Sequence, residues 1–224
     1  MRWRLGLIDS CGEQAGSVAS ACFMADGGKV RRVLSGADPT GHGSRIAAIL
    51  THNLSNCDLL LAQVFATPGP TCAAVVSAAI DWCLGEGVNL MHISLHLTVN
   101  RPVLAAAVAR AVAQDCIVMA ATPARGGVVY PAAYSGVIRG TGDARCSPSE
   151  ISRLAPATFG GCPRHGESTV SDQGASIGAA HVTRKLLEGV VQRTSVEASV
   201  ALTVRAKYWG PERSVSLPYE QSRR

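Results

Sequence analysis

The sequence predicts an α/β protein, a doubly wound and mostly parallel sheet with helices on both faces. Three observations lead there. Short apolar runs bounded by turn residues alternate with longer segments of helical period along most of the chain. Aromatic residues make up only 4% of the 224 residues while Ala, Val and Gly abound, which suits a core of small aliphatic side chains packed closely. Hydrophobic residues at 47% against 17% charged argue against disorder and give one domain a substantial core.

The first strand is expected at residues 5–8, where LGLI is apolar and brief. A GADPTGHG turn follows and opens a helix over 44–50. Residues 59–64 and 88–95 read as buried strands, with a helix over 73–84 between them. Pro102 in a first turn starts the next helix, over 102–113. Two more strands are expected at 117–121 and 136–140, and Ser176 stands at the N-terminal end of a helix over 177–191. Alternation of this kind implies right-handed crossovers and a mostly parallel sheet. Residues 1–191 are expected to form one domain. The more polar 192–224 should pack on it, with a strand at 200–204 and a partly loose tail.

Composition narrows the function. MRWRLGLIDS has no apolar signal core, and the run from Val103 to Val118 is broken by Arg110, Gln114 and Asp115. A cytoplasmic protein without membrane contact is the simplest expectation. Eight cysteines form neither a C-x-x-C knuckle nor a zinc-like cluster, and Cys57, Cys72, Cys83 and Cys116 read as buried reduced thiols. The net charge of +5 is mild. Arg31–Arg32 and Arg223–Arg224 are isolated pairs with no interleaved aromatics, which argues against a nucleic-acid partner. His92 and His96 lie four apart, but on a strand they share a face with Ser94 rather than form a metal pair. No metal and no cofactor is expected.

Three residues carry candidate chemistry. Asp9 ends the first strand, at the sheet edge where open α/β folds bind ligands. His42 opens a helix, and Ser176 sits in QGASIGAAHV. Each has a plain structural reading alone: a strand-end turn former, a helix-capping histidine and a small residue starting a packed helix. Together they supply the carboxylate, imidazole and hydroxyl that activation of a hydroxyl nucleophile requires. GASIG formally fits the G-x-S-x-G elbow, where an acid and then a histidine follow the serine. Here only His181 follows Ser176, with no acid between, so the elbow reading fails.

The order Asp, His, Ser in these surroundings resembles the subtilisin-like serine proteases over about residues 4–191. LGLIDSCG is similar to the family's aspartate motif with Cys11 as an apparent insertion, GHGSRIAAI to its histidine motif, and GASIGAAHV to its serine motif. VNLMHISLH resembles the substrate-binding strand, VVYPAAYSGVI the segment after the oxyanion loop, and RLAPATFGG the Ala-Pro turn before the serine. The resemblance implies peptide-bond hydrolysis, with Ser176 as nucleophile, His42 as general base and then acid, and Asp9 orienting His42.

The departures bear on what kind of protease is implied. Pro123 in IVMAATPARGG stands where the family has an oxyanion-binding asparagine, and proline offers neither side-chain donor nor N–H. Ala175 replaces the usual threonine before the nucleophile. The Ser176 N–H remains, and Thr122 offers a substitute hydroxyl. The resemblance puts Ser94, Leu95 and His96 on one wall of the specificity pocket and Ala120, Ala121 and Thr122 on the other. His96 and Thr122 in place of glycines would narrow it toward a small residue before the scissile bond. No carboxylate cluster suits a calcium loop, and Asp9 lies too near the start for a family prodomain. The implied protein is a slow, even single-turnover processing protease acting on a specific polypeptide such as a modified precursor peptide. The alternative is a pseudo-protease that binds peptides or chaperones assembly.

Overall fold

A computed structural model describes residues 2–67, 69–164, 174–189 and 194–211. Ten strands form one sheet. In chain order they are β1 (Trp3–Asp9), β2 (Ser17–Asp26), β3 (Lys29–Val33), β4 (Cys57–Gln63), β5 (Leu90–Ile93), β6 (Ile117–Ala121), β7 (Val137–Gly142), β8 (Ile151–Ala155), β9 (Thr158–Gly161) and β10 (Tyr208–Trp209). The helices are α1 (His42–Thr51), α2 (Ala73–Gly85), α3 (Pro102–Ala113), α4 (Ala175–Leu187) and α5 (Ser195–Val204). The spatial order is β10-β8-β9-β7-β6-β5-β1-β4-β2-β3, parallel throughout except for the β2–β3 and β8–β9 pairs.

The order reverses at β1, which lies between β4 and β5. A crevice therefore opens beyond the C-terminal end of β1, and Asp9 is its last residue. Leu5, Leu7, Met119 and Ile138 pack one face of the sheet against Ile46 of α1, Ile177 of α4 and Leu202 of α5. Ile8, Ile93 and Ala120 pack the other face against Val76 and Ile80 of α2 and Leu104 of α3.

The β2–β3 hairpin has no counterpart in the expected elements. Gly27 and Gly28, at φ 56° and 78°, make its two-residue turn, and β3 is almost entirely exposed, so it has no apolar run to betray it. The strand expected at 200–204 is instead the end of α5. Thr194 and Glu197 form a capping box, Ala198 and Leu202 are buried one turn apart, and Val200 and Val204 face solvent. The expected strands at 88–95 and 136–140 narrow to β5 and shift to β7. The helix expected over 177–191 begins earlier, at Ala175, and ends earlier, at Leu187 with Glu188 as its C-cap; expected positions 190 and 191 lie outside the described residues. All eight cysteines are free; Cys83 and Cys116 are buried as expected, but Cys57 is half-buried and Cys72 exposed, because Cys72 precedes α2 rather than joining its buried face.

Helix α4 meets the sheet backbone to backbone. A Cβ on Gly178 would overlap the Thr141 carbonyl of β7, and one on Gly161 of β9 would overlap the Gly178 carbonyl. Glycine is required there to let the first turn of α4, with Ser176, reach the crevice. No described helix is long and apolar enough to cross a membrane.

Candidate active site

Asp9 is 2% exposed, and its Oδ1 accepts from the Ser10 amide at 2.6 Å and from His42 Nδ1 at 2.9 Å. A carboxylate can only accept here, so Nδ1 carries the hydrogen and Nε2 is left as the basic nitrogen. The Asp9 hydrogen bond raises the pKa of His42, burial works against it, and the Arg45 charge opposes it more weakly.

The loop before α1 is built around Asp38, a residue sequence reasoning missed. Its Oδ1 accepts from the Gly41 amide at 2.9 Å and the Thr40 amide at 3.1 Å, and its Oδ2 accepts from the Ser44 amide and hydroxyl, each at 2.8 Å. Burial works to raise the Asp38 carboxyl, but these bonds and one from Ser10 outweigh it and hold it at about 2. Ser10 Oγ accepts from the Gly43 amide at 3.0 Å and shares a 2.9 Å bond with Thr40. Gln63 adds a brace from β4, donating to the carbonyls of Ser10 and Ala37 and accepting from the Gly36 amide. Gly43 must be glycine, since a Cβ would overlap the Cys11 amide. Burial, reinforced by the Asp9 charge, pushes the Cys11 thiol far up, so it stays protonated. The signal for Asp38 was present in ADPTGHG: an Asp just ahead of a helix start is the residue type that caps free amides.

Ser176 lies in the first turn of α4, after Gly174 at φ 149°. Its hydroxyl donates to the Ser94 carbonyl at 3.4 Å, and no hydrogen bond to His42 is present among the described residues. Ser176 and His42 nevertheless line one cavity of about 250 Å³, together with Arg45, His96, Thr122 and Pro123. Ala121 and Ala175 also border it. A second cavity of about 280 Å³ is also lined by His42, with Asp9, Phe65, Ser94 and Leu95 in its walls. Of the residues expected around the substrate, His96, Ala121 and Thr122 line the cavity that holds Ser176, and Ser94 and Leu95 line the second, although the Ser94 carbonyl also reaches Ser176. Ala120 is fully buried beneath and lines neither.

The two neighbouring histidines separate. β5 ends at Ile93, which puts His96 beyond the strand and exposed at the cavity, while His92 is fully buried. The expectation that both share a strand face with Ser94 therefore does not hold. Thr183 gives its hydroxyl proton to the Ala179 carbonyl at 3.0 Å, so His92 Nδ1 donates to Thr183 at 2.8 Å. Burial, and then the nearby His42 charge, lower the pKa of His92 to about 3, and it stays neutral. No group of three or more His, Cys, Asp or Glu suited to a metal ion occurs among the described residues.

No protein-family model matches the sequence. The chain is 26% identical over 184 residues to a thermostable alkaline protease of Halalkalibacterium halodurans, an alignment covering 76% of this chain and 48% of that protein. It therefore spans about half the length of the curated relative it matches. Among solved structures it is similar to a lanthipeptide protease, with TM-score 0.63, 14% identity, 88% of this chain and 78% of the other. A second is the prenylagaramide maturation protease PagA, with TM-score 0.59, 16% identity and coverage of 83% and 75%. The fold is that of the minimal subtilisin-like proteases.

Proposed function

We propose that this chain is a subtilisin-like serine endopeptidase that removes a leader or pro-peptide from a specific partner polypeptide. One observation carries the reading: the buried Asp9 carboxylate holds His42 Nδ1 at 2.9 Å, and His42 shares its cavity with Ser176. Ser176 is then the nucleophile, His42 the general base and later acid, and Asp9 the group that fixes the tautomer of His42. Ser176 Oγ bonds to the scissile carbonyl carbon as His42 Nε2 takes its proton, and the carbonyl π pair moves to oxygen. Collapse of the intermediate breaks the C–N bond, and the amine leaves with that proton. Water repeats the sequence on the acyl-enzyme, releasing the acid and freeing Ser176. The 3.4 Å bond from Ser176 to Ser94 must yield as substrate seats, a tightening common once a free site is occupied.

Residues 1–191 form the catalytic domain in this reading, and 192–224 an appended segment. The burial of Ala198 and Leu202 of α5 supports its packing, while the tail past 211 lies outside the described residues. Processing rather than digestion is favoured by the likeness to proteins named as a lanthipeptide protease and a maturation protease. It is also favoured by Pro123 beside Ser176. Loss of one oxyanion donor costs roughly 100- to 1000-fold in turnover, a figure known from subtilisin itself, and tight binding of a single partner compensates for slow chemistry. The chain resembles the cytoplasmic maturation protease of quinohemoprotein amine dehydrogenase biogenesis, so the leader of that enzyme's small cross-linked subunit is the first substrate to test.

A fluorophosphonate probe followed by intact mass and peptide mapping tests the chemistry. One adduct on Ser176, absent from Ser176→Ala, is the expected result. An unlabelled wild type at high probe concentration would leave the second reading, a peptide-binding pseudo-protease. Pro123 and the Ser176–Ser94 hydrogen bond are the observations that favour that alternative.

A further inference from the structure

Helix α5 carries apolar side chains on two sides, and only one side is covered. Ala198 and Leu202 are buried, whereas Val196, Val200 and Val204 are 73%, 58% and 81% exposed. These three valines stand four residues apart, so they form one stripe about 12 Å long. Single exposed valines are ordinary on a protein surface, but a row of three beside a cavity marks a contact surface. The cavity holds about 420 Å³ and is lined by this stripe and by Val137 and Ile138 at the start of β7.

One charge stands in this groove. Arg153 of β8 lines it, and its guanidinium lies over the exposed Trp209 ring, 5.3 Å from the centroid. Its Nε is buried without a hydrogen-bond partner, and no carboxylate pairs with it among the described residues. No Asp or Glu lines the groove either. A donor left unsatisfied in this way is stabilised by any acceptor that enters. A second copy of the chain would match the valine stripe but would bring another Arg153 against the first. The one carboxylate of α5, Glu197, is already engaged in its capping box. Like charge therefore works against self-association, and the surface suits an aliphatic partner that carries an acid.

We propose that this groove docks an acidic amphipathic helix of a partner polypeptide, its aliphatic side chains one turn apart on the valine stripe and a carboxylate on Arg153. Identifying that polypeptide with the substrate rests on the protease reading above. The groove lies at the start of β7, and the first turn of α4, with Ser176, packs on Thr141 and Gly142 at its end. About 17 Å of strand separates the two. The docking element of the substrate then stands at least about five extended residues from the scissile bond. Binding energy drawn from so remote a contact is what lets slow chemistry act on a single partner.

The probe is a fluorescein-labelled helix-forming peptide with leucines at every fourth position flanked by glutamates, read by anisotropy against the full chain. A twin with lysines for the glutamates is titrated beside it, and thermal unfolding is run on every variant. Wild type should bind the acidic peptide saturably and its twin roughly 10-fold more weakly. Arg153→Glu should reverse that order, and Arg153→Gln should abolish the preference. Val200→Asp should weaken the acidic peptide by roughly 10-fold, while Val18→Asp on β2 should leave it unchanged. No saturable binding, equal binding of the twins, or a folded Val200→Asp that binds like wild type overturns the proposal. Binding that appears only once residues 212–224 are removed assigns the groove to the chain's own end and overturns it too. So does a dimer in sedimentation that Val200→Asp dissolves, which assigns the groove to a second copy. Ser176→Ala should bind like wild type, and Arg153→Glu should take a fluorophosphonate on Ser176 at the wild-type rate. A wild type that docks the acidic peptide but never labels on Ser176 keeps the docking surface and removes only its link to a substrate.

Discussion

At His42 two effects compete. The Asp9 carboxylate favours the protonated ring, and burial disfavours it; the hydrogen bond wins and the pKa rises. A general base works only when neutral, so Ser176 acylation should fall off with decreasing pH at a midpoint above the ordinary histidine value of about 6.5. The rate–pH profile of probe labelling checks this, and a midpoint at or below that value would contradict the Asp9–His42 coupling. Asp9→Asn should lower the plateau by about 10⁴-fold, as the same change does in other triads by releasing the tautomer. Stability runs the opposite way. A histidine whose folded pKa is raised stabilises the fold below its unfolded pKa, and the contribution is lost as pH rises through the folded value. The protonation state that steadies this loop is therefore the one that disables the base.

Helix α1 carries His42, but the loop from Asp38 holds it in place. Removing the Asp38 carboxylate frees the Gly41 and Ser44 amides, and helix caps of this kind contribute about 1 kcal/mol. Asp38→Ala is expected to lower stability by about that amount and to slow Ser176 labelling; Asp38→Asn keeps only one of the two acceptor oxygens and turns an NH2 toward amides that also donate, so it does not rescue either loss. Because the folded pKa is depressed to about 2, this stabilisation is full above the unfolded value near 3.9 and fades as pH falls toward 2. Urea unfolding at pH 3 and pH 6, compared between wild type and Asp38→Ala, should show the difference between them shrink at the lower pH. Helix α4 presents the complementary case. Gly178→Ala should cost about 1–3 kcal/mol, because its methyl meets the Thr141 carbonyl and must push the Ser176 turn off β7. If melting is unchanged, the close approach of α4 is not what places the nucleophile. Asp9, His42 and Ser176 were legible because each stands beside glycines at an element edge, a local pattern. Asp38 and Gln63 were not, because their roles come from partners that only folding brings near. The exposed β3 was missed because it carries no apolar run, and the β-branched end of α5 was misread because the burial of Ala198 and Leu202, not propensity, decided it.

Across the whole molecule, the doubly wound sheet was legible because its central strands are short, apolar and buried on both faces, as β1 and β6 show. Its outer edge was not legible, because polar groups rather than apolar runs assemble it. Asp143, 5% exposed, accepts from Arg145 at 2.7 Å and from the Ser152 hydroxyl at 2.5 Å, and Arg145 donates onward to the Gly210 carbonyl at 2.7 Å. With Lys207 N bonded to Ile151 O and Gly210 N to Arg153 O, β10 covers the open edge of β8. Burial works to raise the Asp143 carboxyl, yet the Arg145 and Ser152 bonds outweigh it and keep it charged at neutral pH. Removing the arginine alone leaves a buried carboxylate without its cation, a change that typically costs about 3–5 kcal/mol, whereas replacing both partners is far milder. Arg145→Ala should therefore lower the melting temperature by several degrees, and Asp143→Asn added to it should restore part of the loss. Arg145 keeps part of its surface in solvent, which places the expected cost at the low end of that range. Far-UV and tryptophan-fluorescence melts should shift together, since Trp209 lies on β10 and Trp3 on β1 in the same sheet. Fluorescence moving first, with the far-UV transition unmoved, would mean that the edge opens on its own and that the clasp does not couple to the strands bearing Asp9.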